Sequence, residues 1–216
     1  MSKIVSPDKV KGVLKDNQAV MIGGFLECGA PENLIDLLHE EDITGITLIA
    51  NDTGFPEKKV GSLIVEKRVD SVIASHVGTN PQTGKQMNNE EIEVELVPQG
   101  TLAERIRSEG AGLGGILTPT GVGTVVEEGK DKIEIDGKEY LLEKPIRGDI
   151  ALIKAWKADE AGNLIYRYAA RNFNPIMAMA ADTVLVEAEE IVATGSLDAN
   201  KIMTPGVFVD YIVDFA

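Results

Sequence analysis

The sequence lacks several features by which whole classes of protein are recognised. Its 216 residues include one cysteine, Cys28, so no disulfide can form within the chain. With that cysteine and two histidines, a Cys/His zinc site is not expected, and we predict no bound metal. Apolar stretches such as Ile176–Ala181 fall far short of the ~20 residues that span a bilayer. No signal-peptide core follows Met1, so we expect a cytoplasmic protein with no membrane segment.

Basic residues are also scarce. The chain has 21 Lys and Arg against 35 Asp and Glu, which gives a net charge of −14. Nucleic acids and anionic lipids are bound by clustered Lys and Arg, so we expect neither as a partner. Apolar residues make up 44% of the chain and charged residues 26%, which is typical of a folded globular protein. The length predicts a single domain over residues 1–216.

Short apolar runs alternate with helix-start signals along most of the chain. Strands are predicted at Ala19–Ile22, Ile46–Ala50, Asp70–Ser75, Ile92–Val97, Asp149–Lys154, Leu164–Tyr168 and Thr183–Glu187. Helices are predicted to start at Ser6-Pro7, at Pro31, near Val60, at a Thr101–Glu104 capping box and at Asn174-Pro175. This alternation predicts an α/β fold, a mostly parallel sheet with helices on both faces.

Two segments depart from the alternation. Lys132–Ile135 and Lys138–Leu142 flank Asp136-Gly137, which predicts a β-hairpin insertion near residues 132–142. Residues 110–123 carry six glycines and several aliphatic residues, which indicates a loop with a closely packed backbone. The run Gly110–Gly115 satisfies the G-x-G-x-x-G pattern, but it follows a predicted helix instead of a strand. We therefore expect no nicotinamide site there.

Three predicted loops leave the carboxyl ends of strands, where ligands bind in such sheets. They are Gly23–Gly29, Asn51–Gly54 and Pro98–Thr101. The first is rich in glycine, so its backbone N–H groups can approach a ligand, and the following helix N-terminus favours an anion. A tight connection without a ligand fits this pattern equally well.

Polar residues in these loops suggest acyl chemistry without a nucleophile. The carboxamides of Asn51 and Gln99 can donate hydrogen bonds to a developing oxyanion, although ordinary turn chemistry explains either residue alone. Cys28 has no basic neighbour in the sequence to lower its pKa and is interpreted as a small buried thiol. Glu27 and Glu128 are expected on the solvated surface. The residues alone predict an anion or acyl site at the strand ends.

Longer stretches resemble a known family. The run Asp16–Pro31 matches in full the signature of the α subunits of class I (3-oxoacid) CoA-transferases, with its apolar triplet, Gly-Gly-Phe, Gly29 and Pro31. The resemblance continues through Leu48–Gly54, Ile73–Pro81, Pro98–Leu102, Gly112–Gly115, Gly121–Gly129 and Ala170–Pro175. It covers nearly the whole chain. Within the family, the sequence is most similar to members that act on acetate, butyrate and acetoacetate.

This resemblance implies transfer of CoA from a short-chain acyl-CoA to a free carboxylate by a ping-pong mechanism. CoA would be a substrate, with no tightly bound cofactor. In the family the nucleophile is a glutamate of the β subunit, so the resemblance implies a β partner in a heterodimer or an α2β2 assembly. The implied CoA-contacting residues are Gly23, Gly24, Phe25, Leu26, Glu27, Cys28 and Gly29, and the implied active-site polar residues are Asn51 and Gln99.

Two other classes of protein stay open. A sugar-phosphate isomerase or a ligand-sensing regulator can share this general fold, because fold alone does not determine function. Either would need its own acid–base or sensing residues. A non-catalytic interaction subunit is the other alternative. Glu27 stands where the family more often has a small or apolar residue, and we expect its carboxylate to face away from the CoA phosphates.

Overall fold

The computed structural model describes residues 2–216. In chain order the strands are β1 (Ile4–Val5), β2 (Ala19–Ile22), β3 (Ile46–Ala50), β4 (Val69–Ala74), β5 (Glu93–Leu96), β6 (Ile116–Thr118), β7 (Lys132–Ile135), β8 (Lys138–Glu143), β9 (Gly148–Asp159), β10 (Leu164–Ile165), β11 (Ala181–Val192) and β12 (Tyr211–Val213). The α-helices are α1 (Pro7–Lys11), α2 (Glu32–Glu40), α3 (Lys59–Val65), α4 (Pro81–Asn88), α5 (Gln99–Gly110) and α6 (Asn174–Met179).

Within the described residues, nine strands form one twisted sheet in the order β1-β12-β11-β9-β2-β3-β4-β5, with β10 paired to β9. All pairs along this order are parallel, and only the short β10 is antiparallel to its neighbour. Parallel neighbours need a crossover, and the helices supply it. The predicted α/β fold with a mostly parallel sheet is confirmed.

The core lies on both faces of this sheet, because alternate residues of each strand point to opposite sides. Val20 and Ile22 of β2 pack in one apolar cluster with the buried leucines of α2 and α3, while Met21 packs in the other with α5 and α6. Because β2 is buried on both faces, its sequence is a continuous run of apolar residues.

The predicted hairpin is confirmed as β7 and β8, which pair antiparallel across Asp136-Gly137. Both turn residues have positive φ, 52° and 76°, as a type I′ turn requires. The glycine-rich segment before it differs from the prediction. It contributes β6, which pairs with β8 in a three-stranded sheet within the described chain, and most of residues 111–125 are exposed. The backbone is closely packed at Gly115 and Gly121, where a Cβ would lie 2.7 Å from Glu143 and Val126 respectively.

Several element boundaries also differ from the prediction. The capping box at Thr101 is wrong, because α5 already begins at Gln99 and Leu102 N donates to Pro98 O at 2.9 Å. Helix α4 was not predicted, although Asn80 caps it through Gln82 N at 3.2 Å and Pro81 opens it. The predicted strand Leu164–Tyr168 shortens to two residues, while β9 and β11 each extend to 12.

Candidate active site

The carboxyl ends of β3, β4 and β5 bring a polar group from each strand to one edge of the sheet. Oδ1 of Asn51 accepts hydrogen bonds from Nε2 of Gln99 at 2.8 Å and from Oγ of Ser75 at 3.0 Å. The two predicted carboxamides therefore contact each other directly, although β4 lies between their strands and adds Ser75 as a second hydrogen-bond donor to Asn51. Ser75 was not predicted as part of the site.

Asp52 fixes the glycine loop to this edge. Its Oδ2 accepts from the backbone N–H of Leu26 at 2.8 Å and from Nδ2 of Asn51 at 2.7 Å. Its Oδ1 accepts from the N–H of Gly54 at 2.9 Å. The side chain is buried and its lone pairs are engaged, so Asp52 acts as a positioning residue. The sequence analysis missed it, although it directly follows Asn51.

A cleft of about 390 Å³ opens above these residues. It is lined by Phe25, Leu26, Asn51, Asp52, Ser75, His76, Thr79 and Gln99. The two carboxamides differ in their exposure: Asn51 is 2% exposed and hydrogen-bonded within the protein, whereas Gln99 is exposed. Gln99 can therefore present its second N–H to a ligand, and Asn51 holds Gln99 in place. Phe25, at 43% exposed, forms an apolar wall beside them.

The glycine loop from Gly23 to Gly29 needs its glycines. A Cβ on Gly23 would lie 1.9 Å from Oδ1 of Asn174. Gly24 has φ +123° and Gly29 has φ +76°, and a Cβ on Gly29 would lie 2.5 Å from the carbonyl oxygen of Ala170. The loop is thus pressed against the segment before α6, which leaves its outer side toward the cleft.

Two asparagines, one just before α6 and one within it, hold the glycine loop in place through hydrogen bonds. Asn172 accepts from Gly24 N at 3.1 Å and donates to Cys28 O at 2.8 Å. Asn174, fully buried, donates to Gly29 O at 3.0 Å and accepts from Lys154 N at 2.9 Å. Their site role was missed, and the signal was the pair of asparagines spaced by one residue beside the helix-opening proline.

The other residues that the sequence analysis singled out lie in environments that differ from one another. Cys28 is exposed, so its interpretation as a buried thiol is wrong: the loop turns it outward where Phe25 and Cys28 pair through their backbones. The Glu27 carboxylate lies 3.3 Å from Nζ of Lys58 and lines a separate pocket beside α3. Leu26 lines both that pocket and the cleft. Glu128 is exposed.

The cleft has hydrogen-bond donors but lacks a free carboxylate in the part of the chain that the structure describes. Asp52 is the one carboxylate among its lining residues, and it is engaged with the loop backbone. Across residues 2–216, no cluster of three His, Cys, Asp or Glu side chains could hold a metal ion. No helix within those residues is long and apolar enough to cross a membrane.

Comparison with known families agrees with the sequence signature. Residues 6–214 match the family model described as coenzyme A transferase. This chain belongs to the coenzyme A transferase family. As a CoA-transferase it is 53% identical over 212 residues to the acetate CoA-transferase subunit alpha of Escherichia coli, which covers 98% of this chain and 96% of that relative.

A second CoA-transferase relative comes from Clostridium acetobutylicum. Its acetoacetyl-CoA:acetate/butyrate CoA transferase alpha subunit is 54% identical over 212 residues, covering 98% of this chain and 97% of the relative. Among solved structures, an acyl-CoA transferase from Escherichia coli in a thioester complex with CoA superposes with a TM-score of 0.83 at 23% identity. That match covers 99% of this chain but 47% of the other, so this fold corresponds to about half of the longer enzyme.

Proposed function

We propose that the chain is the α subunit of a two-component CoA-transferase that moves CoA between a short-chain acyl-CoA and a free carboxylate such as acetate, butyrate or acetoacetate. The observation that carries this proposal is the cleft itself. It offers a hydrogen-bond donor at Gln99 and an apolar wall at Phe25, while its one carboxylate, Asp52, is already engaged. A β subunit would supply the glutamate nucleophile.

The proposed reaction proceeds by two exchanges at that glutamate. Its carboxylate attacks the acyl-CoA carbonyl, the carbon–sulfur bond breaks, and an acyl-glutamyl anhydride forms as the CoA thiolate leaves. The thiolate then attacks the glutamyl carbonyl and releases the acyl group as a free carboxylate, which leaves a glutamyl-CoA thioester. The acceptor carboxylate repeats both steps in reverse, so charge and atoms balance without an oxidant or a metal.

In this proposal, the chain contributes binding and electrostatic stabilisation. Each attack places negative charge on a carbonyl oxygen, and the N–H of Gln99 is positioned to donate to it. The loop from Gly23 to Gly29 brings backbone groups close to CoA, and Phe25 excludes water from the thioester. Asn51 and Asp52 keep Gln99 and the loop at a fixed separation.

The first prediction tests the need for a partner. The purified chain alone should show no CoA transfer between acetyl-CoA and acetoacetate, because the proposed reaction needs a free carboxylate and the one at the cleft, Asp52, is engaged. The reading frame beside that of this chain is expected to encode the β subunit. Mixing the two chains should restore turnover with the parallel double-reciprocal lines of ping-pong kinetics.

Mass spectrometry locates the covalent intermediate. After incubation with acetyl-CoA alone, a CoA adduct should appear on the β chain, and this chain should stay unmodified. Turnover by the isolated chain, or a CoA adduct on it, would contradict the assignment and favour an isomerase-like or sensing protein with its own catalytic group.

A further inference from the structure

A second concave surface adjoins the glycine loop at Cys28 and Gly29. It has a volume of about 260 Å³, and Cys28, Gly29, Trp156, Tyr166, Arg167 and Tyr168 are among the residues that line it. Cys28 and Gly29 are therefore part of the glycine loop and also part of the lining of this surface. Nothing in the proposed reaction uses the aromatic residues here.

Tyr168 is the most unusual residue of this surface. Its side chain is 91% exposed, and its backbone has φ +52°, a left-handed conformation that is strained for a bulky residue. A single exposed aromatic side chain is ordinary, but a strained backbone conformation is commonly kept at binding and switch sites. The fold therefore holds an aromatic side chain outward beside the active-site loop.

The surroundings of Tyr168 are preorganised. The guanidinium of Arg167 lies 5.2 Å from the centre of the Trp156 ring and 5.9 Å from that of Tyr168, and it is held by Glu189 at 3.1 Å. Nζ of Lys157 lies 4.9 Å from the centre of the same Trp156 ring. Trp, Tyr and Arg are the residue types that dominate binding energy at protein interfaces.

The charge of this surface differs from that of the whole chain. Lys154, Lys157 and Arg167 are each paired with a glutamate of β11. Arg171 is exposed and makes no ion pair within residues 2–216. The surface is thus neutral to slightly positive, although the net charge of the chain is −14. A protein partner that approaches this surface is therefore not repelled by an excess of negative charge.

We propose that this surface, defined by Trp156, Arg167 and Tyr168 and flanked by the exposed Arg171, is the docking site of the β subunit, with Tyr168 as its anchor. The inference rests on the proposed function, which requires a partner to bring its glutamate to the cleft. Because the surface shares the glycine loop with the cleft, a subunit that binds Tyr168 also covers the CoA-contacting residues. The partner surface should present an apolar pocket to Tyr168 and a carboxylate to Arg171.

The test compares two exposed side chains. Tyr168→Ala should weaken the Kd between this chain and the β subunit by roughly 30-fold, which corresponds to about 2 kcal/mol. Val207→Ala removes a side chain that is 82% exposed elsewhere and should leave the Kd unchanged. Tyr168→Phe, which keeps the ring, should bind within about threefold of the wild type. Titration calorimetry measures all three, and circular dichroism checks that each variant is folded.

Activity separates this inference from the proposed function. The wild-type pair should transfer CoA, and the Tyr168→Ala chain should regain at least half of the wild-type kcat when the β subunit is in large excess. An unchanged Kd for Tyr168→Ala would overturn the docking site while leaving the transferase proposal intact. A raised KM for acetyl-CoA with an unchanged subunit Kd would also overturn it and make the surface a CoA-binding wall.

Discussion

At the residue scale, the two carboxamides of the cleft have different tasks. Asn51 is buried, with its Oδ1 accepting from Gln99 and Ser75 and its Nδ2 donating to Asp52. Gln99 is anchored through one N–H and exposed with the other. A buried acceptor that fixes an exposed donor is the arrangement expected for preorganised stabilisation of a developing charge. The pair works as a unit, and only one member faces the substrate.

The residue-scale prediction follows from that division. Gln99→Ala should assemble normally with the β subunit and lower kcat by ~100- to 1000-fold, the usual cost of losing one oxyanion donor. Asn51→Ala should also reduce the melting temperature, because it leaves buried partners without a hydrogen bond. Steady-state kinetics and thermal unfolding are the measurements.

The matched control is Asn200→Ala, which removes an exposed carboxamide far along the chain. It should change neither kcat nor the melting temperature. Wild-type rates for Gln99→Ala in the assembled complex would show that Gln99 is only a turn residue.

At the element scale, the loop between β2 and α2 takes its shape from a distant element. The start of α6 places Asn174 beneath it, and this side chain satisfies Gly29 O, Ala170 O and Lys154 N at once. The loop has no regular structure of its own, so its conformation depends on these bonds and on the absence of a side chain at Gly23.

The element-scale prediction is a coupling between Gly23 and Asn174. Gly23→Ala should destabilise the chain, since its Cβ would overlap the Asn174 carboxamide. Asn174→Ala should destabilise it by about 1–3 kcal/mol through unsatisfied backbone groups. In the double variant, the overlap is removed, so the two costs should fall short of additive by about 0.5–3 kcal/mol.

Denaturant unfolding of the four proteins measures this cycle. A Gly84→Ala variant supplies the control, because a Cβ there meets nothing within 4 Å. Additive costs for Gly23→Ala and Asn174→Ala would mean that the loop and α6 are not coupled as the contacts indicate.

At the scale of the whole molecule, charge limits what the chain can bind alone. CoA carries about four negative charges from its phosphates, and the chain carries −14. The cleft offers the exposed carboxamide of Gln99 and the apolar wall of Phe25, with no lysine or arginine among its lining residues within the described chain. The nucleotide end of CoA should therefore be held by basic residues of the β subunit.

The whole-molecule prediction is weak binding of CoA by the isolated chain. Its Kd should be no tighter than roughly 0.1 mM, about −5.5 kcal/mol. Calorimetry at two salt concentrations measures it. Micromolar affinity with a steep salt dependence would place a basic phosphate site on this subunit.

Much of the fold could be predicted from local patterns. The apolar runs at β2 and β3 could be predicted because a strand buried on both faces has few polar positions. Asp136-Gly137 predicted its hairpin because few residues accept the positive φ of that turn. Helix α4, the edge strand β1 and its neighbour β12 were missed: the helix is polar, and two- or three-residue strands carry no periodicity.

The candidate site, like the fold, could be predicted from the sequence in part. The sequence by itself determined that glycines and carboxamides occupy the carboxyl ends of the strands, because these residues directly follow apolar strand runs in the chain and the carboxyl ends of parallel strands share one edge of the sheet. Only the tertiary structure decided which carboxamide is exposed, that Asp52 is engaged by the loop, and that Cys28 points outward. Those outcomes depend on contacts between Gly24 and Asn172, 148 residues apart, and on the packing of α6 under the loop. No local pattern encodes such distances.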